Sequence, residues 1–488
     1  MNAMLLTDGY KLDHRRQYPK GTEYVYSNWT PRSNDYLPQA KDGAVVFGIQ
    51  YFIKKYLIDY FNKNFFWIDR DKAVRNFSRR INTFLGENEI GTKHIEELYD
   101  LGYLPIKIKA LPEGSICPIR VPCMTVVNTN PKFFWVTNFL ETLMSCELWL
   151  PMTSATIARE YRKELKRHAT KTGFTNDIEL GFLCHDFSMR GMAGLEASII
   201  SGMAHLTSFI GSETVPAIDA MEEYYNIDAD KELIAGTVPA TEHSVMCAGG
   251  IDNEYDTFKR LLTELYPNGF VSIVSDSWDF WKVITDFIPR LKEDILARNG
   301  RFVVRPDSGT PEDIICGTNN PNDDEHIRKG AYECLWDTFG GTINDNGYKV
   351  LDTHIGVIYG DSITLERQKE IYKRLEDKGF AATNLVLGVG SYTYQYKTRD
   401  SLGFAMKATW CQINGEAKEI FKQPKTDSGM KNSLKGLIQV LQDDSGVYYA
   451  KDCVSKEEEE KGCLEVVFED GRLVKETSLT EIRERLCK

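Results

Sequence analysis

The sequence lacks several features that would assign a protein to a functional class at once. Its 488 residues carry a net charge of −12, without the excess of lysine and arginine on which nucleic-acid binding depends, so we expect no nucleic-acid partner. The 11 cysteines include no Cys-x-x-Cys pair, which argues against a zinc site or a disulfide framework. Residues 1–10 show no signal-peptide pattern and no apolar window reaches membrane-spanning length, so we expect a cytoplasmic protein without membrane contact.

Common nucleotide and protease motifs are absent too. The chain has no P-loop, no Gly-x-Gly-x-x-Gly signature and no zinc-protease motif. Its 42% hydrophobic and 27% charged residues are typical of a globular protein, and its length predicts at least two domains. An acidic protein can still hold a phosphorylated small molecule in a local basic pocket.

Four apolar segments end abruptly in polar residues that suit a binding loop. Residues 302–304 are followed by Arg305, Asp307 and Ser308. An unbroken apolar run is typical of a buried parallel strand, and ordinary turn formation explains any single ending of this kind. Four such endings along the chain favour strands whose carboxyl ends lie at one shared rim. This is the arrangement of an α/β barrel, in which the functional groups come from the loops after the strands. The other three are VSIVSDSWD at 271–279, GVIYGDS at 356–362 and NLVLGVGS at 384–391.

Strand patterns precede and follow this central region. Residues 22–32 alternate like a strand, and residues 437–450 and 463–478 predict two hairpins with Asp-Ser-Gly and Asp-Gly turns. The predicted fold is an α/β barrel at 151–390 with a discontinuous β-rich α+β domain formed by 1–150 and 391–488. The KEEEEK run at 456–461 is predicted to be a solvated loop.

Three further groups of residues suit chemistry. Phe187 and Arg190 follow an apolar segment, where they can stack a flat ring and hold an anion, although a core phenylalanine and a surface ion pair explain them equally well. Glu242 beside His243 can fix the imidazole tautomer, but neighbours on a strand point to opposite faces. A basic series suits a diphosphate or nucleotide, with a solvated lysine face as the alternative. Its members are Arg399, Lys407, Lys422, Lys425, Lys431 and Lys435.

Motifs along nearly the whole chain resemble the signatures of the nicotinamide phosphoribosyltransferase family, type II phosphoribosyltransferases related to the nicotinate enzymes. They are TDGYK at 7–11, HDFSMRG at 185–191, GSETVPA at 211–217, PATEHS at 239–244, VSDSWD at 274–279, RPDSG at 305–309, YGD at 359–361 and KTRD at 397–400. The resemblance implies an irregular α/β barrel packed against the β-rich domain. The paired-acid strand motif of Rossmann-like phosphoribosyltransferases is absent.

The same resemblance implies an activity. The enzyme would transfer phosphoribosyl from phosphoribosyl pyrophosphate to nicotinamide, giving nicotinamide mononucleotide and diphosphate for NAD synthesis. It would use Mg²⁺, couple transfer to ATP hydrolysis through a phosphohistidine, and act as a homodimer with shared active sites. The alternatives are transfer to nicotinic acid, or a non-catalytic sugar-phosphate-binding interaction protein, which predicts the loss of phosphate-binding and acidic positions that this chain retains.

The resemblance also implies a role for individual residues. Phe187 and Tyr10 of the partner subunit would sandwich the pyridine ring, and Glu213 and Arg305 would hold the carboxamide. The catalytic set would be His243, Glu242, Asp279 and Asp307, with His243 accepting phosphoryl and Glu242 or Asp279 holding its other nitrogen. Ribose and phosphate ligands would be Ser275, Asp307, Gly360, Asp361, Gly390, Ser391, Arg399 and Lys407. Diphosphate ligands would be Arg32, Arg190, His243, Arg305, Lys422 and Lys431.

Two positions depart from the pattern of the vertebrate-type enzymes. Glu213 stands where they have aspartate, which lengthens the side chain by one methylene. Ser391 stands where they have glycine beside the phosphate, which affects how closely the backbone can approach. Because a carboxylate accepts hydrogen bonds from an amide but repels another carboxylate, Glu213 predicts a preference for nicotinamide over nicotinic acid.

Overall fold

The computed structural model describes residues 1–422 and 434–487, which lie in two compact units. The first unit comprises Met1–Thr156, Ala220–Asp228 and Lys397–Lys488, and the second comprises Ile157–Asp219 and Ala229–Tyr396. Within the described ranges, none of the helices has both the length and the apolar character needed to cross a membrane.

An antiparallel seven-stranded sheet is the main element of the first unit. The predicted strand at residue 22 is present as Thr22–Thr30, and it pairs with Ala405–Ile413 on one side and Met124–Asn128 on the other. Trp29 is fully buried and stacks on Phe404 with ring centroids 5.1 Å apart. Segments distant in sequence therefore share one core. The strand order is Glu416–Glu419, Ala405–Ile413, Thr22–Thr30, Met124–Asn128, Ile106–Ala110, Glu465–Glu469 and Arg472–Leu473.

Both predicted C-terminal hairpins are present. Leu437–Gln442 pairs with Tyr448–Val454, and Glu465–Glu469 pairs with Arg472–Leu473. The second turn has φ values of 47° at Asp470 and 80° at Gly471. Two consecutive positive φ values are what a type I′ hairpin turn requires, which explains the Asp-Gly pair. A short pair, Ala44–Val45 with Ile116–Cys117, completes the strands described in this unit.

The prediction of a solvated loop at 456–461 is wrong. Lys456–Glu460 is a helical turn, begun by a capping box in which Ser455 and Glu458 satisfy each other's backbone N–H groups. The turn places Glu459 Oε2 2.9 Å from Lys109 Nζ, and both side chains are more than 90% buried. Burial raises the pKa of the Glu459 carboxyl, and Lys109 opposes that rise. The charge run thus contributes a buried ion pair to the sheet.

Glu459→Gln is expected to destabilise the protein by about 2 kcal/mol, because it removes the buried counter-charge of the Lys109 ammonium and leaves it the carboxylate of the more exposed Glu460, 3.0 Å away. Glu457→Gln on the same turn is exposed and should stay within about 0.5 kcal/mol of the wild type. Urea unfolding of the three proteins at pH 7 measures the difference. Equal midpoints for all three would show that the ion pair adds no net stability.

The four predicted strand endings are neighbours in one parallel five-stranded sheet of the second unit. Because parallel strands present their carboxyl ends at one edge, the loops after them share a rim, as predicted. The strand order is Cys184–Asp186, Leu385–Val389, Ile355–Tyr359, Phe302–Arg305 and Val271–Val274.

Two irregular segments connect the outer strands of this sheet to each other. Parallel bridges join Asp186 to Ser212, Gly211 to Gly236 and Ala240 to Ser272. Backbone hydrogen bonds support them: the N–H of Glu213 donates to Asp186 at 2.9 Å, and that of Ser272 to Pro239 at 2.8 Å. The sheet therefore closes into an irregular barrel through segments that are not regular strands. The predicted fold class, α/β with a separate β-rich part, is confirmed.

In the first unit, the helix Ile49–Phe52 continues into π-helical turns over Ile53–Tyr60. Other helices assigned to the first unit are His14–Gln17, Arg70–Leu85, Lys93–Leu101, Val136–Phe139 and Leu479–Cys487. Glu141–Thr172 and Pro216–Tyr225 run across unit boundaries. The second unit contains Asp177–Gly181, Leu195–Leu206, His243–Cys247, Glu254–Arg260, Phe280–Lys282, Ile288–Arg290, Lys292–Leu296, Pro311–Cys316, Glu325–Phe339, Leu365–Asp377 and Ser391–Tyr394.

Candidate active site

A cavity of about 620 Å³ lies among the loops that follow the barrel strands. Its wall contains many of the residues singled out from the sequence, although they are scattered over more than 200 positions of the chain. The barrel brings them together because each lies at or beyond the end of a strand or of a barrel-closing segment. The lining residues are Phe187, Met189, Arg190, Gly191, Glu213, Ala240, Thr241, Glu242, Arg305, Asp307, Gly360, Asp361, Gly390 and Ser391.

Phe187 presents a fixed aromatic ring to this cavity. Its backbone N–H donates to the Val389 carbonyl at 2.9 Å, and a Cβ added at Gly360 would overlap its ring. His185 contacts the ring edge-on, with centroids 6.0 Å apart, and burial lowers the pKa of this histidine to about 4. A neutral histidine and a glycine thus hold Phe187 in place for stacking on a flat ligand.

A carboxylate and a guanidinium open into the same cavity. Glu213 accepts a hydrogen bond from the hydroxyl of Thr237. Arg305 Nη2 donates to the Thr241 carbonyl at 2.8 Å, and its Nε lies 3.8 Å from Asp307 Oδ2. Glu213 can accept and Arg305 can donate, which is the pair of functions that recognition of a carboxamide needs.

Asp276 is a site residue that the sequence reasoning missed. Its Oδ1 lies 3.3 Å from His243 Nε2, and its Oδ2 accepts a hydrogen bond from the Asp307 backbone at 3.0 Å. The Asp276 side chain is only 3% exposed, whereas that of His243 is 50% exposed. A buried carboxylate therefore anchors both an accessible imidazole and the loop of Asp307. The VSDSWD segment contained the signal, because Asp276 comes two residues after a buried strand.

The two carboxylates considered for His243 have other partners. Glu242 accepts from the Ser244 hydroxyl, and Asp279 caps the helix Phe280–Lys282 by accepting from the Lys282 N–H at 3.0 Å. Residues 242 and 243 are not on a strand, since a helix begins at His243. The hydrogen bond at Nε2 leaves Nδ1 as the histidine nitrogen available for other chemistry.

Acidic groups concentrate at the rim beside Arg305. Burial raises the pKa of Asp307, Asp276 and Asp361 add to the rise, and Arg305 and His243 oppose it. Carboxylates placed this way can stabilise positive charge on a ligand. Ser275, by contrast, is buried and donates its hydroxyl to the Ile273 carbonyl at 2.7 Å, so it does not line the cavity.

The other candidate residues that the structure describes belong to the first unit. Burial lowers the pKa of Lys407, Glu141 opposes this shift, and Arg32 and Arg399 add to it. Burial also lowers the pKa of Arg32, with a further contribution from Arg399. Positive groups that lower one another's pKa in this way favour an anion such as a phosphate.

Three further candidates complete the account. Tyr10 is 63% exposed, and its ring meets that of His14 edge to face with the centroids 5.1 Å apart. Lys422 is exposed. Lys431, like Lys425, lies outside the described residues.

Comparison with known proteins places this site in a family. Residues 182–471 match the nicotinate phosphoribosyltransferase (NAPRTase) family, and residues 2–108 match the nicotinamide phosphoribosyltransferase N-terminal domain. The chain is 51% identical over 499 aligned positions to the nicotinamide phosphoribosyltransferase of Acinetobacter baylyi, covering 100% of this chain and 97% of that protein. It is 35% identical over 464 positions to that of Mycoplasma pneumoniae, covering 90% and 97%.

A solved structure agrees at the level of fold. The nicotinate-nucleotide pyrophosphorylase of Pyrococcus furiosus superposes with a TM-score of 0.56 at 16% identity, covering 99% of this chain and 94% of that one. The family resemblance predicted from the motifs is confirmed. The chain therefore belongs to the nicotinate phosphoribosyltransferase family, and it carries the N-terminal domain of its nicotinamide phosphoribosyltransferase members.

Proposed function

We propose that the protein transfers the phosphoribosyl group of phosphoribosyl pyrophosphate to nicotinamide, giving nicotinamide mononucleotide and diphosphate for NAD synthesis. The observation that carries the proposal is the wall of the barrel cavity, where a fixed Phe187 ring, the Glu213 carboxylate and the Arg305 guanidinium open to one space. The identity to curated nicotinamide phosphoribosyltransferases over the full chain supports it.

The base would bind by stacking its electron-poor ring on Phe187. Its amide NH₂ would donate to Glu213, and its amide oxygen would accept from Arg305. These contacts hold the pyridine nitrogen toward the acidic rim, so that the attacking atom meets the sugar in a fixed orientation.

Transfer breaks the bond between ribose C1 and the diphosphate oxygen and forms a bond from C1 to the pyridine nitrogen. The electron pair of the broken bond leaves with diphosphate, and the nitrogen supplies its own lone pair, so no proton need move. Positive charge develops on the ribose as the bond breaks. Asp307 and Asp361 would stabilise that charge, and Arg190 would hold the departing diphosphate.

Mg²⁺ fits this site as an ion bound mainly by the substrate. Residues 1–422 and 434–487 contain no group of three or more His, Cys, Asp or Glu side chains that could hold a metal ion. Mg²⁺ commonly binds through one or two carboxylates together with phosphate oxygens, and Asp307 and Asp361 are placed to supply them. When bound, the ion would neutralise charge on the diphosphate.

ATP coupling and dimerisation extend the proposal. His243, anchored by Asp276, would accept a phosphoryl group from ATP, and the added negative charge would help to order the sugar phosphate. In a homodimer, the exposed Tyr10 and the basic cluster of Arg32, Arg399 and Lys407 would complete the site of the partner subunit.

One assay tests the core of the proposal. The purified protein is incubated with phosphoribosyl pyrophosphate, Mg²⁺ and either nicotinamide or nicotinic acid, and mononucleotide is separated by chromatography. We expect nicotinamide mononucleotide. Product only from nicotinic acid would identify a nicotinate phosphoribosyltransferase, and no product from either base would favour a non-catalytic sugar-phosphate-binding protein.

Discrimination between the two bases should exceed about a hundredfold in kcat/KM, because like charges placed against each other across a binding interface cost several kcal/mol. Glu213→Gln removes the charge repulsion and keeps the shape of the side chain. It should therefore raise kcat/KM for nicotinic acid and lower kcat/KM for nicotinamide, so that the ratio between the two bases falls. Glu222→Gln is the matched control, because Glu222 is exposed and is not among the residues that line the cavity. A preference for nicotinic acid in the wild type would show that Glu213 does not face the pyridine.

A further inference from the structure

Thr237 lies outside the motifs that carry the resemblance, yet its hydroxyl donates a hydrogen bond to Oε1 of Glu213. The two residues sit at corresponding places in the barrel-closing segments. Glu213 comes two residues after Gly211, and Thr237 directly follows Gly236, the partner of Gly211 in a parallel bridge. The backbone N–H of Gly236 donates to the Ile210 carbonyl at 2.9 Å. Backbone pairing therefore holds the two side chains together.

This hydrogen bond matters because Glu213 is otherwise an adaptable side chain. Glu213 is exposed to the cavity, and a free glutamate loses much rotamer freedom when a ligand orders it. Threonine is β-branched, so its χ1 angle is restricted and its hydroxyl is a well-placed donor. With Oε1 engaged by Thr237, Oε2 is left to accept from the ligand.

We infer that Thr237 is a positioning residue for base recognition, which orders the Glu213 carboxylate before an amide-bearing pyridine arrives. The inference rests on the proposed function, because it takes nicotinamide as the ligand of Glu213. It also assigns part of the discrimination against nicotinic acid to Thr237, since an ordered carboxylate cannot turn away from a second negative charge.

The test compares Thr237→Val, which keeps the shape and removes the hydroxyl, with Thr237→Ser, which keeps the hydroxyl. Thr237→Val should raise the KM for nicotinamide roughly tenfold, as expected for a lost hydrogen bond to a charged group. It should leave kcat and the KM for phosphoribosyl pyrophosphate nearly unchanged, and Thr237→Ser should restore most of the affinity. Thr285→Val is the matched control, because Thr285 is exposed and its hydroxyl bonds to the Trp281 carbonyl of its own helix at 2.7 Å.

A double-mutant cycle then asks whether Thr237 acts through Glu213. In a Glu213→Ala background, Thr237→Val should have almost no further effect on nicotinamide affinity, measured by calorimetry if turnover is slow. An unchanged KM in Thr237→Val, equal impairment in Thr237→Ser, or additive effects in the cycle would each overturn the inference. Failure of the proposed function is a separate result, since the wild type would then form no mononucleotide from nicotinamide.

Discussion

Enzyme carrying Tyr10→Ala and enzyme carrying Asp307→Ala should each be nearly inactive, yet a mixture of the two should regain activity when their subunits are exchanged. The reason is that we assign Tyr10 and Asp307 to the same active site but to different subunits of a homodimer. Tyr10 is 63% exposed, and Asp307 lines the barrel cavity. A mixed dimer then contains one site with both substitutions and one site with neither.

Co-refolding equal amounts of the two variants should give about half of the molecules as mixed dimers, and so about a quarter of the wild-type activity, by statistics alone. Differently tagged subunits and two-step purification isolate the mixed dimer, which should show about half of the wild-type activity. A second pair, Arg305→Ala with Asp307→Ala, is the control, because both residues belong to one barrel and should not complement. Purified mixed dimers without activity would place Tyr10 and Asp307 in the site of a single chain.

The barrel could be predicted because its strands have a clear sequence pattern. Segments such as Phe302–Arg305 and Ile355–Tyr359 are unbroken apolar runs that stop at Asp, Gly or Arg, and this pattern depends only on burial and on where the chain leaves the sheet. The closing segments around Gly211 and Gly236 gave no such signal. They join the sheet through single bridges and contain glycine and proline, so they show no strand periodicity.

The site was predictable only in part, for a related reason. Motif residues such as Phe187 and Arg305 were found because they lie at or directly after the ends of strands. Asp276 and Thr237 act through hydrogen bonds to residues 33 and 24 positions away, and such pairs depend on which loops the barrel brings together. Glu459, in the first unit, is another residue whose partner is distant in sequence and could not be predicted. A run of charges looks solvated in the sequence, but one turn of helix buries a single member against Lys109.

The structure also changes which residue should be tested beside His243. Sequence reasoning offered Glu242 or Asp279 as its partner, whereas the contact at 3.3 Å is to Asp276. Asp276 reaches the Asp307 backbone with its other oxygen. This arrangement links the proposed phosphoryl acceptor, through one carboxylate, to the loop that would stabilise the ribose. Phosphorylation of His243 would therefore act on the position of Asp307 through Asp276.

His243→Ala is expected to abolish ATP hydrolysis and to raise the KM for phosphoribosyl pyrophosphate, while slow transfer without ATP persists. A neutral imidazole is a competent nucleophile near pH 7, and the half-exposed His243 can reach a nucleotide with Nδ1 while Asp276 holds Nε2. The phosphorylated wild type should carry an acid-labile, alkali-stable phosphate that is absent from the variant. Radiolabel transfer from γ-labelled ATP, followed by acid and alkali treatment, measures this directly.

Substitution of the two neighbouring acids makes the test specific. Asp276→Asn keeps an oxygen for the Asp307 N–H but loses the negative charge that orients and stabilises the imidazole, so ATP hydrolysis should fall by about a hundredfold. Asp279→Asn retains a helix-capping side chain, and we expect it to keep most of the ATP turnover. A larger loss in Asp279→Asn than in Asp276→Asn would reverse the assignment of the histidine's partner. The imidazole is the one nucleophile that His243→Ala removes. ATP turnover that survives this substitution would therefore show that His243 is not the phosphoryl acceptor.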